Sequence, residues 1–170
     1  MTTIADRYRR WFAYEKDAHE KTLQSLESVS PEVRSRASFR KAVGLLGHLV
    51  AARRLWLHRL GVRPEGPTTL AEFFPESLTL DDLALQLRDM HEEWDGYLAA
   101  LDDAELARVF EYRALEGDRF RNRVEDIVTQ LFGHSWYHRG QVASLVRELG
   151  GKPAATDYVF WVREPVEPVD

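Results

Sequence analysis

Residues 123–151, with the sequence RVEDIVTQLFGHSWYHRGQVASLVRELGG, have the pattern that decides the fold of this chain. Apolar residues recur at steps of three and four, which predicts one long helix over residues 123–149 with a single buried face. The Gly-Gly pair at the end of the stretch predicts where this helix stops. His134 and His138 fall on the apolar stripe, so two imidazole rings are expected on the buried face.

Three further stretches of the chain have the same helical period. They predict helices over residues 4–28 and 39–60, and a third helix that begins after Thr79. Ser38 is the expected N-cap of the second helix, and Thr79 with Asp82 has the spacing of a capping box. Four amphipathic helices, each of about 20 residues or more, predict an antiparallel four-helix bundle.

The segments outside the helices contain turn-forming residues. Residues 61–78 are rich in proline and predict a loop, and residues 109–121, VFEYRALEGDRFR, predict a short hairpin around Glu-Gly-Asp. The aromatic, proline-broken tail over residues 156–170 is expected to pack in extended form. The predicted fold is therefore all-α, with one domain over residues 1–170, a short hairpin before the last helix and an extended C-terminal tail.

The composition argues against several kinds of protein and of site. The chain has 170 residues, of which 44% are apolar, and a net charge of −5 without a basic stripe, so no nucleic-acid partner is expected. It has neither a secretory leader pattern nor an apolar run of the ~20 residues that span a bilayer. No membrane association is expected, and the expected location is the cytoplasm. Cysteine is absent, which excludes disulfides and a cysteine nucleophile, so any thiol must come from a small molecule.

A third histidine, His48, lies on the apolar stripe of the second helix. Histidines four apart on a helix can reach one ion, and neutral imidazole is a common ligand of zinc and nickel. Three protein ligands, here His48, His134 and His138, would leave a position for water or substrate. The alternative is three buried histidines without a metal, although each imidazole then needs partners for both of its nitrogens.

The other histidines are weaker candidates for ligands. His19 lies among charged residues and is expected to be solvated, and His58 near the end of the second helix is expected to have a structural role. His91, beside Met90 and Trp94, is left open as a fourth ligand. The chain has no HExxH motif, no Glu-x-x-His pair, no phosphate-binding loop and no G-x-S-x-G elbow, so those mechanisms are not expected.

Taken together, these stretches resemble the DinB family, which is related to the YfiT-like metal-dependent hydrolases. The resemblance rests on GLLGHLVAARRLWLHRLG, HSWYHRGQVASLVRELGGKP, TDYVFWVRE and WFAYEKDAHEKTLQSLESV, and it covers nearly the whole chain. It implies a four-helix bundle, a nickel or zinc ion held by His48, His134 and His138, and a homodimer. Characterised relatives include thiol transferases that use bacillithiol or mycothiol.

The resemblance implies an enzyme that uses a divalent ion to activate a low-molecular-weight thiol or water against a small electrophilic substrate. A non-catalytic bundle that binds a metal or a small molecule is the alternative. In the HRGQ motif, Gln141 has either a structural role or the role of orienting a metal-bound water or ligand, and Gly140 is expected to allow close helix packing. Arg139 is expected to point away from the metal, where it would bind a substrate carboxylate or form an ion pair at the helix end.

Overall fold

The computed structural model describes residues 2–166, and the end of the predicted tail, residues 167–170, lies outside the described residues. Over the described part, the chain forms seven α-helices, a short 3-10 helix at Pro31–Val33 and one two-stranded sheet. The elements are α1 (Ile4–Glu27), α2 (Ala37–Arg59), α3 (Leu70–Phe73), α4 (Leu80–Ala100), α5 (Asp103–Ala107), β1 (Val109–Arg113), β2 (Arg119–Arg123), α6 (Val124–Glu148) and α7 (Tyr158–Val162). No helix in residues 2–166 is long and apolar enough to cross a membrane.

The starts of the long helices agree with the predictions at α4 and differ at α2. Thr79 caps α4, because its hydroxyl oxygen accepts a hydrogen bond from the backbone N–H of Asp82 at 3.1 Å. The Asp82 carboxylate accepts from the Thr79 hydroxyl, so the reciprocal bond to the backbone that completes a capping box is replaced by a side-chain contact. The prediction that Ser38 caps α2 is wrong, since the helix begins at Ala37 and Arg36 is in the N-cap position.

The four long helices α1, α2, α4 and α6 are those that the periodicity predicts, and they bury their apolar stripes against one another. Each of α1 and α2 packs against both α4 and α6. The apolar stripe of α4 is buried throughout and consists of Leu83, Leu87, Met90, Trp94 and Leu98. Burial of each such side chain contributes about 1.5–3 kcal/mol, so apolar packing holds α4 against α1 and α2.

The predicted hairpin is confirmed. It leads directly into α6 and packs against the C-terminal half of α2. Strands β1 and β2 pair antiparallel, and Gly117 at the turn has a φ of +98°, a conformation that favours glycine. Tyr112 of β1 packs edge-on against Trp56 of α2, with 4.9 Å between ring centroids. Because β2 leads directly into α6, this contact helps to place the beginning of α6 relative to α2.

The tail and the long loop contain short helices that the sequence patterns did not predict. The expectation of a wholly extended tail is wrong, because α7 forms one turn of helix whose Tyr158 and Trp161 rings contact Tyr14 at 5.1 and 6.0 Å between centroids. The loop predicted over residues 61–78 contains α3, and α5 follows α4 directly. Helices this short have little intrinsic stability, so tertiary packing decides whether they form.

A buried ion pair between Glu15 of α1 and Arg53 of α2 lies inside the apolar core. The side chains of both residues are at most 2% exposed. The guanidinium of Arg53 also lies over three aromatic rings, those of Phe12, Trp94 and Phe132. A buried charge is tolerated when it has a partner of opposite sign, and aromatic faces add further attraction. The pair therefore fixes how α1 and α2 sit relative to each other.

We predict that Glu15→Ala lowers the free energy of unfolding by about 3–5 kcal/mol, because the substitution leaves the buried Arg53 without a counter-charge. Urea denaturation followed by circular dichroism measures the change. Glu20→Ala is the matched control, because Glu20 is exposed on the same helix and its loss should change stability by less than about 0.5 kcal/mol. A loss below about 1 kcal/mol for Glu15→Ala would show that the ion pair does not stabilise the core.

Candidate metal centre

Three histidines predicted from the sequence, called the triad below, converge between α2 and α6. His48 lies near the middle of α2, and His134 and His138 lie one turn apart on α6. The Nε2 atom of His134 is 3.1 Å from Nε2 of His48 and 3.0 Å from Nε2 of His138. One ligand nitrogen from each ring lies within 4.8 Å of the other two. Two nitrogens bound to one zinc ion are at most about 4.2 Å apart, so both close pairs fit a shared ion.

Two of the three rings are oriented by hydrogen bonds on the side away from the cluster. The Nδ1–H group of His48 donates to the backbone carbonyl of Phe73 at 2.9 Å. The Nδ1–H group of His138 donates to the side-chain oxygen of Gln141 at 2.7 Å. Histidine ligands of metals usually donate their second N–H in this way, which orients the ring and sets its tautomer. Gln141, a candidate from the sequence, therefore lies where a residue that orients a ligand is needed.

These bonds leave the inner nitrogens of the cluster with unshared lone pairs. A neutral imidazole carries one proton, and in His48 and His138 that proton is on Nδ1, so both Nε2 atoms are acceptors. Both of them face Nε2 of His134, which can donate to only one. At least one lone pair is thus without a donor in the cluster, which is unfavourable inside a protein. A divalent cation at the centre would satisfy all three nitrogens, so the cluster fits a metal site.

The surroundings of the cluster keep His48 and His134 neutral. His48 is buried, and His134 and His138 are half-buried. Burial, and next the proximity of His138 and His48, lowers the pKa of His134 to about 4. Burial also lowers the pKa of His48. Metal ions bind the neutral imidazole, so at neutral pH these two rings are already in the form that a ligand requires.

Glycines on α2 allow the backbone around α3 to approach the helix closely. A Cβ atom at Gly44 would lie 2.9 Å from the carbonyl oxygen of Pro75, a separation that real Cβ contacts do not reach. A Cβ atom at Gly47 would lie 2.9 Å from the Pro75 ring. This close approach brings the Phe73 carbonyl to His48 and places the Phe74 ring on the His48 ring, with 4.3 Å between centroids. Gly44 and Gly47, the glycine face of α2, therefore allow the Phe73 carbonyl to be placed where it orients His48.

The helical turn α3 was not predicted, although a capping motif for it is present in the sequence. Thr69 and Glu72 form a capping box at the start of α3, and their spacing is the usual one for this motif. The motif could have predicted a helical turn within the proline-rich loop.

The expectation that Gly140 allows close helix packing is wrong, because a Cβ atom there would meet nothing within 4 Å.

His19 and His91 form a separate cluster with Ser135. The expectation that His19 is solvated is wrong, because its side chain is fully buried. His19 Nδ1 lies 3.0 Å from His91 Nε2, and His19 Nε2 lies 2.9 Å from the Ser135 hydroxyl. His91, considered as a fourth ligand, is thus paired with His19. His58 lies apart from both clusters, exposed and hydrogen-bonded to the Arg63 carbonyl.

Arg139 belongs to this second cluster and contacts no triad histidine through its guanidinium. The residue is 3% exposed, and its guanidinium donates to the Tyr14 hydroxyl at 2.7 Å and to the Ser135 hydroxyl at 3.2 Å. The expectation of a helix-end ion pair is wrong, and burial leaves the side chain without access to a substrate carboxylate in this conformation. Tyr14 donates to the Thr156 carbonyl, so Arg139 links α6 through α1 to the segment before α7.

Comparison with known proteins supports the relationship that the motifs indicate. A family model, described as the DinB family, matches residues 1–165, which is essentially the whole chain and includes all three converging histidines. No curated protein matches the chain significantly. The family match is therefore the comparison that bears on function.

We predict that Gly44→Ala weakens zinc binding about tenfold, because the new methyl group displaces the Pro75 backbone and, with it, the Phe73 carbonyl that orients His48. Competition against a chromophoric chelator measures the affinity. Gly140→Ala is the matched control, since it adds the same methyl group to a helix where nothing lies within 4 Å. Equal zinc affinity in the two variants would show that the glycine face does not support the site.

We predict that stability falls as pH falls from about 6.5 to about 4, in part because of His91. Burial, more than the nearby Arg53 and Lys16, lowers the pKa of His91 from 6.5 to about 4. The unfolded chain therefore binds a proton in this window that the folded chain excludes, and the loss is less than about 1.4 kcal/mol per pH unit for this residue. Urea denaturation at several pH values should give a shallower slope for His91→Gln than for the parent chain. Identical slopes would contradict the assignment.

Proposed function

The chain belongs to the DinB family, and on that premise we propose that it is a metal-dependent enzyme that joins a thiol or water to a small electrophilic substrate. The observation that carries the proposal is the convergence of three imidazole Nε2 atoms between α2 and α6. The proposed ligands are His48, His134 and His138, and the proposed ion is divalent nickel or zinc, both of which imidazole binds well.

The ligand set supports an open site rather than a structural one. Structural zinc sites usually have four protein ligands, whereas catalytic sites have three and an open position. Within residues 2–166, the cluster of candidate metal-binding side chains consists of the three histidines. When bound, the ion would supply Lewis acidity that lowers the pKa of a thiol or of water in the open position.

The chain's own residues would hold the ligands and shape access to them. The Phe73 carbonyl and the Gln141 side chain fix the tautomers of His48 and His138, so both Nε2 atoms are free to bind. His48 is buried, while His134 and His138 are half-buried, so a substrate would approach from the α6 side. Oriented ligands of this kind restrict the geometry of a bound reactant.

The reaction that we propose first is thiol transfer. The chain has no cysteine, so the sulfur would come from a low-molecular-weight thiol. The sulfur would form the new bond to the electrophilic carbon, the bond from that carbon to the leaving group would break with its electron pair going to the leaving group, and the thiol proton would pass to solvent or to that group. With water in place of the thiol, the reaction is hydrolysis.

We further propose that the four long helices form an antiparallel bundle, that the protein acts as a homodimer, and that it acts in the cytoplasm, as the family resemblance and composition imply.

A binding protein that holds a metal or a small molecule without catalysis is the rival proposal. Such a protein would couple the ion tightly to folding, because a structural metal contributes directly to stability. Chelation would then lower the melting temperature strongly. In the enzyme, the core of α1, α2, α4 and α6 would keep the fold after chelation, since its apolar stripes are buried independently of the triad.

We predict that the parent protein binds about one divalent ion per chain, and that the triple variant with alanine at the three triad positions loses it while remaining helical. Elemental analysis and circular dichroism measure the two properties. His58→Ala is the matched control, because His58 is exposed and outside both clusters, and it should retain the metal.

Turnover would then be measured with the metal-loaded protein, by offering small thiols together with small electrophiles. Thiol-dependent loss of the electrophile in the parent protein, absent in the triple variant, is the expected result. Retention of the metal by the triple variant would overturn the ligand assignment. A bound metal without thiol-dependent or hydrolytic turnover would favour the binding protein.

A further inference from the structure

A cavity of about 410 Å³ lies beside the candidate metal centre, along the N-terminal half of α2. One wall is α2 and the other is the segment that follows α3. The residues that matter for its chemistry are Arg40, Lys41, Gly44, Leu45, Phe74 and Glu76. Phe74 also stacks on His48, with 4.3 Å between ring centroids and 7° between ring planes. The cavity and the triad thus share one aromatic side chain.

The cavity lies along α2 on the N-terminal side of the triad. Arg40 and His48 are eight residues apart on α2, which is about 12 Å along the helix. Between them, the Pro75 backbone covers Gly44, and Phe74 stacks on the His48 ring. The cavity is therefore a groove that ends at Phe74, which separates it from the imidazole.

The end of the groove away from the triad is positively charged. Arg40 and Lys41 are both exposed, and neither forms an ion pair with a carboxylate in the described part of the chain. Arg40 uses one guanidinium nitrogen to donate to the Ser35 carbonyl, which holds the side chain near the start of α2. Glu76 is the single acidic residue in the cavity wall. Two unpaired cations facing one carboxylate attract an anionic group.

The middle of the groove is apolar. Leu45 is half-buried and Phe74 is 49% exposed, so both present apolar surface to the cavity. A ligand that covers this surface would gain about 25 cal/mol for each Å² removed from water. The groove therefore combines a basic end with an apolar surface that ends at Phe74. Pockets for small molecules commonly have this mixture of apolar walls and a few placed charges.

We infer that this groove binds an organic anion with an apolar chain, with its carboxylate or phosphate on Arg40 and Lys41 and its carbon chain on Leu45 and Phe74. This is a binding site outside the triad, so the inference goes beyond the proposed function. The anionic end depends only on the residues of the cavity, so it can be tested without a metal.

The first experiment uses the full chain treated with a chelator. The fluorescent aromatic anion 8-anilinonaphthalene-1-sulfonate is bound to it and displaced with octanoate or octyl phosphate. We expect Arg40→Gln combined with Lys41→Gln to weaken octanoate binding about tenfold, equivalent to about 1.4 kcal/mol. Glu76→Gln should strengthen binding severalfold, because it removes the carboxylate that repels the ligand. The better of the two displacing anions identifies the carboxylate or the phosphate as the preferred group.

The matched control is Arg7→Gln combined with Arg10→Gln. It removes the same net charge from two exposed positions on α1, and it should leave octanoate binding unchanged within about twofold, since distant surface charges are screened by salt. Equal octanoate affinity in the parent protein and the Arg40 and Lys41 variant would overturn the inference. Failure of octanoate to bind the parent protein would overturn it as well.

The second experiment measures zinc binding by the parent chain and separates this inference from the proposed function. If the chain retains no zinc but octanoate binding still depends on Arg40 and Lys41, the proposed function fails and the anion-binding groove is supported.

Discussion

The packing of α2 against α6 is the constraint on which the candidate site depends. Each triad histidine occupies a position on an apolar stripe, and burial of the two stripes brings the imidazoles together. Apolar burial supplies the free energy for this packing, and the rings themselves are unfavourable there, since their inner nitrogens lack enough donors. The fold thus holds three candidate ligands in place at the expense of some stability, which is typical of functional sites.

Three groups of polar side chains lie among the packed helices and differ in how they are paired. The triad has half-buried rings on α6 and nitrogens with free lone pairs, whereas both ring nitrogens of His19 are paired, one with His91 and one with Ser135. The ion pair of Glu15 and Arg53 lies between aromatic rings in the interior and links α1 to α2. Proximity of histidines alone therefore does not identify a metal site; the direction of their free lone pairs distinguishes the two clusters.

The support of the triad comes from a segment with little regular structure. The turn at α3 reaches His48 because glycines on α2 admit the Pro75 backbone. The same segment supplies Phe74, which covers the imidazole on one side and lines the neighbouring cavity on the other. A single short loop thereby connects the orientation of His48 with the shape of the proposed anion-binding groove. A loop that depends on close backbone contact tolerates few changes at the glycines beneath it.

Local pattern in the sequence determined the long helices, the hairpin and the three residues of the triad, because apolar periodicity and turn residues act over a few positions. It predicted His48, His134 and His138 from their place on the stripes, and Gln141 follows His138 by three residues on the same helix. Only the tertiary structure decided that His19 is buried against His91 and that the Phe73 carbonyl meets His48. These contacts join residues that are far apart in the chain. The residues next to His19 in sequence are charged, but they do not reveal which side of the helix another element covers.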